Sequence, residues 1–317
     1  MSQEPASWPR EVEDIRYRSS ADGTEQPAMF YAPEHAGKRD GQPTGLAVTV
    51  HSWSSTYDGT NGVKFYEGAK RAGLIFVYPH FRGPNTNPEA CLSPLALQDI
   101  LDSIEFCKQH ACVDESRIYC VGNSGGGFTS LMMAAKRPDL FRAVFPSCGI
   151  SDLARWHEQS VELARRGSNN NERYAREMVA VCGGAPGSGP EVDAQYRLRS
   201  PLFALHQARG LTMHISHGIH DGHPGTGVVP VDHSLRAFNA LAEANGHPDK
   251  KLSDEQIQVF WREERVPEEL ADEVRDDPLY TKPVVFQRTA GPVTVTLFDG
   301  NHEILVETAY DWLASQT

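Results

Sequence analysis

Short apolar runs alternate with helical patterns along most of the chain, and this alternation constrains the fold more than any other feature. Apolar runs of this length, bounded by turn residues, are typical of strands buried on both faces of a parallel sheet. The pattern predicts an α/β fold with a mostly parallel, doubly wound sheet of about eight strands and helices on both faces. The predicted strands are residues 46–50, 74–78, 118–121, 143–145, 211–215 and 293–298, and the predicted helices are 62–71, 95–110, 127–136, 233–244 and 303–314.

Three segments fall outside this alternation. Residues 10–33 alternate polar and apolar side chains around a turn and predict an antiparallel hairpin. Residues 151–208 are polar and helix-rich, and residues 250–283 are highly charged; neither has enough apolar residues for its own core. We therefore expect a single domain over residues 1–317 with two insertions. The aromatic and basic side chains of 151–208 suit either a lid over a pocket or ordinary helix packing.

The charge balance excludes several classes of partner. The 317 residues include 42 Asp and Glu against 30 Lys and Arg, a formal net charge of −12. Nucleic acids and anionic membranes attract basic surfaces, so we expect neither as a partner, whereas the charge says little about a small-molecule substrate. No apolar run approaches the roughly 20 residues that span a bilayer. Residues 1–5 lack the features of a signal peptide, which predicts a cytoplasmic protein.

Residues 121–127, Val-Gly-Asn-Ser-Gly-Gly-Gly, follow a predicted strand and lead into a predicted helix. This G-x-S-x-G pattern is typical of a sharp turn that exposes a serine hydroxyl above a sheet, with small residues around it. Ser124 is therefore a candidate nucleophile. The amide N–H of Gly125, at the start of the helix, is a candidate donor to an oxyanion. The alternative is an ordinary serine in a glycine-rich loop.

A serine hydroxyl needs a histidine base, which in turn needs a carboxylate to orient it. Asp221 follows the predicted strand 211–215, and His302 follows the predicted strand 293–298. The carboxyl ends of parallel strands meet at one edge of a sheet, where the turn at Ser124 must also lie. Asp232 and Asp299 are weaker candidates for the acid.

These segments resemble the α/β-hydrolase superfamily, and most of all its prolyl-oligopeptidase-type and related esterase catalytic domains. The resemblance implies that Ser124 is the nucleophile, Asp221 the acid and His302 the general base, with no cofactor and no metal. It covers roughly residues 45 to 315 and depends on Phe81-Arg82-Gly83, Gly122-Asn123-Ser124-Gly125-Gly126, Gly183-Gly184-Ala185-Pro186, Tyr196-Arg197-Leu198-Arg199-Ser200-Pro201, His217-Gly218-Ile219-His220-Asp221 and Gly300-Asn301-His302.

The chain departs from the family pattern at two places. The usual H-G-x-x-D-x-x-V-P is stretched by residues 222–227, which keeps Asp232 open as an alternative acid. The first core strand is followed by His51-Ser52-Trp53 rather than the common His-Gly-Gly or His-Gly-x. We expect the backbone N–H of Trp53 to be the second oxyanion donor, whereas the alternative makes Trp53 a packing residue only.

Histidines and cysteines raise the alternative of a metal site. Residues three apart on a strand point to opposite faces, and a glycine and a proline interrupt any helix in this region. No C-x-x-C or H-E-x-x-H pattern is present, so we expect no metal, and we expect Cys120 and Cys148 to be small core residues. The histidines concerned recur every third residue: His214, His217, His220 and His223.

The sequence favours a serine-dependent carboxylesterase that forms an acyl-enzyme on Ser124, with acylated carbohydrates or aromatic esters as candidate substrates. Prolyl-oligopeptidase-type peptidases usually carry a propeller domain, and the residues before Leu46 are too few for one. A small prolyl-oligopeptidase-like aminopeptidase is the first alternative. A non-catalytic binding protein with a hydrolase fold is the second, although all three triad positions hold competent side chains.

Overall fold

The computed structural model describes residues 7–273 and 276–316. Residues 1–5, on which the signal-peptide prediction depends, and residues 274–275 of the predicted charged insertion lie outside this part. The described residues form one nine-stranded sheet in the order β1-β2-β4-β3-β5-β6-β7-β9-β8. The strands are β1 (Glu13–Arg18), β2 (Glu25–Tyr31), β3 (Thr44–Val50), β4 (Ile75–Pro79), β5 (Val113–Asn123), β6 (Ala143–Ser147), β7 (Thr212–Gly218), β8 (Val284–Ala290) and β9 (Val293–Phe298).

The six central strands of this order, β4-β3-β5-β6-β7-β9, are parallel. They correspond to the six predicted core strands. The predicted hairpin forms as β1 and β2, and β2 joins β4 in antiparallel fashion. The α/β fold class is therefore confirmed. The edge strand β8 was not predicted; it pairs antiparallel with β9, and its partly exposed centre weakens the apolar signal that marks the central strands.

Nine helices accompany the sheet in the described residues. They are α1 (Val63–Arg71), α2 (Pro94–His110), α3 (Gly125–Lys136), α4 (Leu153–Arg165), α5 (Asn169–Cys182), α6 (Pro190–Leu198), α7 (Asp232–Ala244), α8 (Asp254–Arg262) and α9 (Val306–Ala314). None of them is both long and apolar enough to cross a bilayer.

The two faces of the sheet bury separate apolar cores. Helices α1 and α9 cover one face, where Ala47 and Phe76 pack with Tyr310. Helices α2, α3, α7 and α8 cover the other face, where Leu46 and Val48 lie in the larger core. Neighbouring residues of β3 thus point to opposite cores, as the period of a strand requires. All seven residues of β3 are buried, which explains its mostly apolar sequence.

The segment 151–208 folds as α4, α5 and α6. Its large side chains do not form a separate core but pack with Trp53 and Phe128, from the loop after β3 and the helix after β5. The insertion therefore lies against the elements that carry two of the predicted site residues. Its contributions to this cluster include Trp156, Met178 and Tyr196.

Candidate active site

Ser124 occupies the sharp turn between β5 and α3. Its backbone has φ 60° and ψ −119°, a conformation that costs a non-glycine residue about 1–3 kcal/mol. Two backbone hydrogen bonds hold it: Ser124 N donates to Ser147 O at 2.9 Å, and Phe128 N donates to Ser124 O at 2.9 Å. A Cβ at Gly122 would lie 2.5 Å from the Gly126 carbonyl carbon. The turn thus needs glycine at position 122, as the motif predicts.

Asp221 and His302 meet at the carboxyl edge of the sheet. His302 Nδ1 donates to Asp221 Oδ2 at 2.5 Å, which orients the imidazole in the way a general base requires. Asp221 lies just beyond β7 and His302 just beyond β9, two adjacent parallel strands. The structure therefore brings together the acid and base that the sequence singles out.

The lengthened loop 222–227 supports this pair rather than displacing it. Thr226 O accepts a hydrogen bond from His302 N at 3.2 Å, and Val229 N donates to Asp221 Oδ1 at 3.2 Å. A Cβ at Gly227 would lie 1.8 Å from Asp221 Oδ1. Glycine is thus required where the loop passes the carboxylate.

A second imidazole holds the same carboxylate. The buried His217 donates from Nε2 to Asp221 Oδ2 at 2.9 Å, while its Nδ1 accepts from Ser234 Oγ at 2.7 Å. Burial would raise the pKa of Asp221, but attraction to His302 and hydrogen bonds from His217 and His302 hold it well below its ordinary value. Asp221 is thus an anion fixed by two histidines.

The Asp221–His302 pairing also changes the pKa of His302, the predicted base. Burial alone would lower the pKa of His302, but the charge and hydrogen bond of Asp221, together with Cys148, raise it well above its ordinary value. A carboxylate that stabilises the imidazolium in this way favours proton transfer from a serine hydroxyl.

Cys148 is more than the small core residue that its sequence context predicts. It is fully buried, yet it follows the end of β6 at the same edge of the sheet, and its Sγ donates to Glu303 O at 3.3 Å. Its sulfur, an Asp221 oxygen and a His302 nitrogen all lie within 4.8 Å of one another. A hydrogen bond already fills the space between His302 Nδ1 and Asp221, so this cluster fits proton transfer better than metal binding.

The end of β6 connects the Ser124 turn with the cluster of Cys148, Asp221 and His302. Ser147 O accepts from Ser124 N, and the next residue, Cys148, places its sulfur beside His302. Ser124 Oγ forms no hydrogen bond with any described residue. The hydrogen bond between nucleophile and base is often long or poorly aligned before a substrate is bound.

The predicted oxyanion donors lie side by side. A Cβ placed on Gly125 would be 2.2 Å from the backbone nitrogen of Trp53. Ser52 Oγ donates to Asn123 O at 2.8 Å and ties the loop after β3 to the end of β5. Within the described ranges, neither amide donates to a loop, turn or side-chain acceptor. Both N–H groups are thus available beside the Ser124 turn.

The alternative acids belong to other interactions. Asp232 is buried and pairs with Arg155 and Arg236, and Asp299 accepts from His220 Nε2 at 3.0 Å. Among the four regularly spaced histidines, His220 and His223 share a neighbour, Glu264, at 2.7 and 3.9 Å, but the four form hydrogen bonds with different partners and do not converge on one point. Those partners are Tyr280 and Thr296 for His214, Asp221 and Ser234 for His217, Glu264 and Asp299 for His220, and Trp261 O for His223.

An aromatic wall built from the insertion lies beside the oxyanion loop. The Trp53 and Trp156 rings pack edge to face at 4.9 Å, with Tyr174 beside both. Trp53 Nε1 donates to Glu177 Oε2 at 2.7 Å. Helix packing therefore accounts for Trp156, which is almost fully buried, and a lid role for the half-buried Tyr174 stays a prediction.

Comparison with solved structures identifies the architecture. Acylaminoacyl peptidase from Pyrococcus horikoshii superimposes with a TM-score of 0.54 at 21% identity, over 74% of this chain and 36% of that chain. Prolyl oligopeptidase B from Galerina marginata gives a TM-score of 0.58 at 16% identity, over 96% and 36%. The chain has the α/β-hydrolase fold. The fold that the motif resemblance implies is thereby confirmed.

Comparison of the sequence with protein families and curated proteins finds similarity to prolyl oligopeptidases. Residues 68–182 of this chain match the model of the prolyl oligopeptidase family, a range that includes Ser124 but neither Asp221 nor His302. Prolyl endopeptidase from Dictyostelium discoideum is 22% identical over 162 residues, 51% of this chain and 20% of that protein. The chain thus spans about a fifth of this curated relative and about a third of each solved structure.

Proposed function

We propose that this chain is a serine hydrolase that cleaves amide bonds of short peptides through an acyl-enzyme on Ser124. The observation that carries the proposal is the 2.5 Å Asp221–His302 hydrogen bond at the sheet edge where Ser124 stands in its strained turn. A triad is defined by such geometry and roles rather than by sequence position.

The proposed reaction uses only groups of this chain and water. Ser124 Oγ attacks the carbonyl carbon while its proton moves to His302, and the N–H groups of Gly125 and Trp53 bind the oxyanion. The C–N bond then breaks, and His302 gives its proton to the departing amine. A water molecule loses a proton to His302 and attacks the acyl-enzyme, and that proton returns to Ser124 Oγ as the acid leaves.

The preference for amide over ester bonds is supported by the comparisons rather than by the site, because the same triad performs both reactions. The prolyl oligopeptidase match and the peptidase names of the relatives support the peptidase alternative over the carboxylesterase that the sequence favours. They give no support for acylated carbohydrates or aromatic esters as substrates. An aminopeptidase that acts on short peptides is the form of this proposal closest to the sequence analysis.

Turnover of aminoacyl p-nitroanilides, compared with p-nitrophenyl esters from acetate to decanoate, tests the proposal. We expect wild-type protein to cleave the anilides and Ser124→Ala to lose at least about 10³-fold in kcat. Ser116→Ala, an exposed serine far from the edge, is the matched control and should keep wild-type rates. Exclusive ester turnover would restore the carboxylesterase. No turnover and no fluorophosphonate labelling of Ser124 would favour the non-catalytic binding protein.

A further inference from the structure

A cavity of about 170 Å³ adjoins the proposed site and takes no part in the mechanism above. Its wall includes the residues that immediately precede the nucleophile and the oxyanion donor Trp53. The cavity therefore begins one residue away from two reacting positions. The lining residues that matter here are Ser52, Ser55, Asn61, Lys64, Tyr78 and Asn123.

Several polar groups of this cavity have no partner in the protein. The side chains of Ser55 and Asn61 and the hydroxyl of Tyr78 form no hydrogen bond within residues 7–273 and 276–316. Asn123 Oδ1 is buried and likewise unpaired there. Asn61 is exposed to solvent and Ser55 is half-buried, but a buried polar atom such as Asn123 Oδ1 normally finds a partner. Its lack of one beside these free groups indicates a site for a polar ligand.

A positive charge also lies at this cavity, where Lys64 Nζ stands 5.3 Å from the centre of the Phe65 ring. Lys64 stands at its rim and forms no ion pair with a described carboxylate. The two glutamates whose charges act on Lys64 are each paired elsewhere: Glu303 with Lys282 at 2.5 Å and Glu307 with Arg71 at 3.7 Å. An ammonium beside free hydroxyl and amide groups is suited to a carboxylate.

The position of the cavity assigns it to the leaving group. His302 gives its proton to the departing amine, and the next residue, Glu303, is close enough for its charge to act on Lys64. On the other side of Ser52, the indole of Trp53 packs into the aromatic wall with Trp156. The aromatic wall and the cavity thus adjoin consecutive residues of the loop after β3, Trp53 and Ser52, and the cavity is the one whose Lys64 feels the charge of the residue after His302.

We propose that this cavity binds the C-terminal residue of a peptide as the leaving group, with its carboxylate at Lys64 and its scissile N–H facing Asn123 Oδ1. The proposal rests on the proposed peptidase function and narrows it to bonds that precede a free C-terminal residue. A volume of about 170 Å³ equals about five or six water molecules at ~30 Å³ each. That space accepts the backbone atoms of one residue with a small side chain.

Kinetics with alanyl-alanine and alanyl-alaninamide measure the role of the carboxylate. We expect wild-type kcat/KM to favour the free acid by about tenfold or more, as a charge-assisted hydrogen bond supplies. In Lys64→Met the ratio should fall to about 1. Lys70→Met, on the same helix but paired with Glu11 at the surface, should keep the wild-type ratio. Equal rates on the two substrates in wild type, or an unchanged ratio in Lys64→Met, would overturn the proposal.

Two further measurements separate this proposal from the peptidase function itself. In Ser124→Ala protein, calorimetric binding of alanine, but not of alaninamide or inorganic phosphate, should weaken about tenfold on adding Lys64→Met. If Lys64→Met weakens alanine binding but protein with Ser124 intact shows no amidase activity, the peptidase function is refuted and the binding site is supported. Binding of phosphate as tightly as alanine would refute carboxylate selectivity. Asn61→Asp, which leaves Lys64 in place, should also lower the acid-to-amide ratio, so a misfolded Lys64→Met leaves the proposal testable.

Discussion

Gly125→Ala tests the oxyanion site with the smallest possible change. The new Cβ would lie 2.2 Å from Trp53 N, whereas ordinary contacts begin at 3.4 Å. The Trp53 loop and the start of α3 must therefore separate by about 1.2 Å. Oxyanion donors act at about 2.7–3.1 Å, so a displacement of this size takes the Trp53 N–H out of hydrogen-bonding range.

We expect kcat to fall about 10²–10³-fold, the usual effect of losing one oxyanion donor. KM should change little, since this interaction is strongest in the transition state. The assay is steady-state hydrolysis of an aminoacyl p-nitroanilide, with thermal unfolding to monitor the fold. Gly189→Ala is the matched control, because a Cβ at that position meets nothing within 4 Å. A Gly125→Ala enzyme with wild-type kcat would refute the assignment of Trp53 and Gly125.

Three other predictions concern the proposed base, His302. Because Asp221 and Cys148 raise the pKa of His302, and only neutral His302 accepts a proton, the acid limb of kcat/KM should lie above pH 6.5 in the wild type. Asp221→Asn should lower kcat about 10⁴-fold, as in serine proteases, and move that limb to lower pH, whereas Asp299→Asn should do neither. Cys148→Ala should shift the acid limb in the same direction with a smaller loss of rate. A limb that stays in place in both variants would contradict the coupling, and the pH dependence of kcat/KM measures all three.

The sheet edge that carries the proposed active site was predictable because one rule applies to every strand that forms it. Parallel strands bring their carboxyl ends together, so Ser124, Asp221 and His302 could be placed at one edge from the apolar run before each. The same rule applies to Cys148, which follows β6. Its apolar context indicated core packing instead, and only the structure shows its sulfur beside His302 and Asp221.

The proposed leaving-group cavity could not be predicted from the sequence because no local pattern marks it. Its residues come from the loop after β3, the start of α1, the end of β4 and the end of β5. Each is an ordinary polar residue in its own segment, and only the sheet order β4-β3-β5 brings them to one point. A lysine without an ion pair, such as Lys64, can be recognised as part of a binding site only when its neighbours in the fold are known.

The lengthened acid loop shows why a departure from a family motif need not alter the chemistry. The added residues 222–227 return through Gly227, where only glycine clears Asp221 Oδ1, and Thr226 O holds the backbone of His302. His217 secures the same carboxylate from the strand side. The acid is thus fixed by contacts on both sides, so the loop can lengthen without moving it. Differences in specificity should therefore arise from the aromatic wall and the Lys64 cavity rather than from the Asp221–His302 pair.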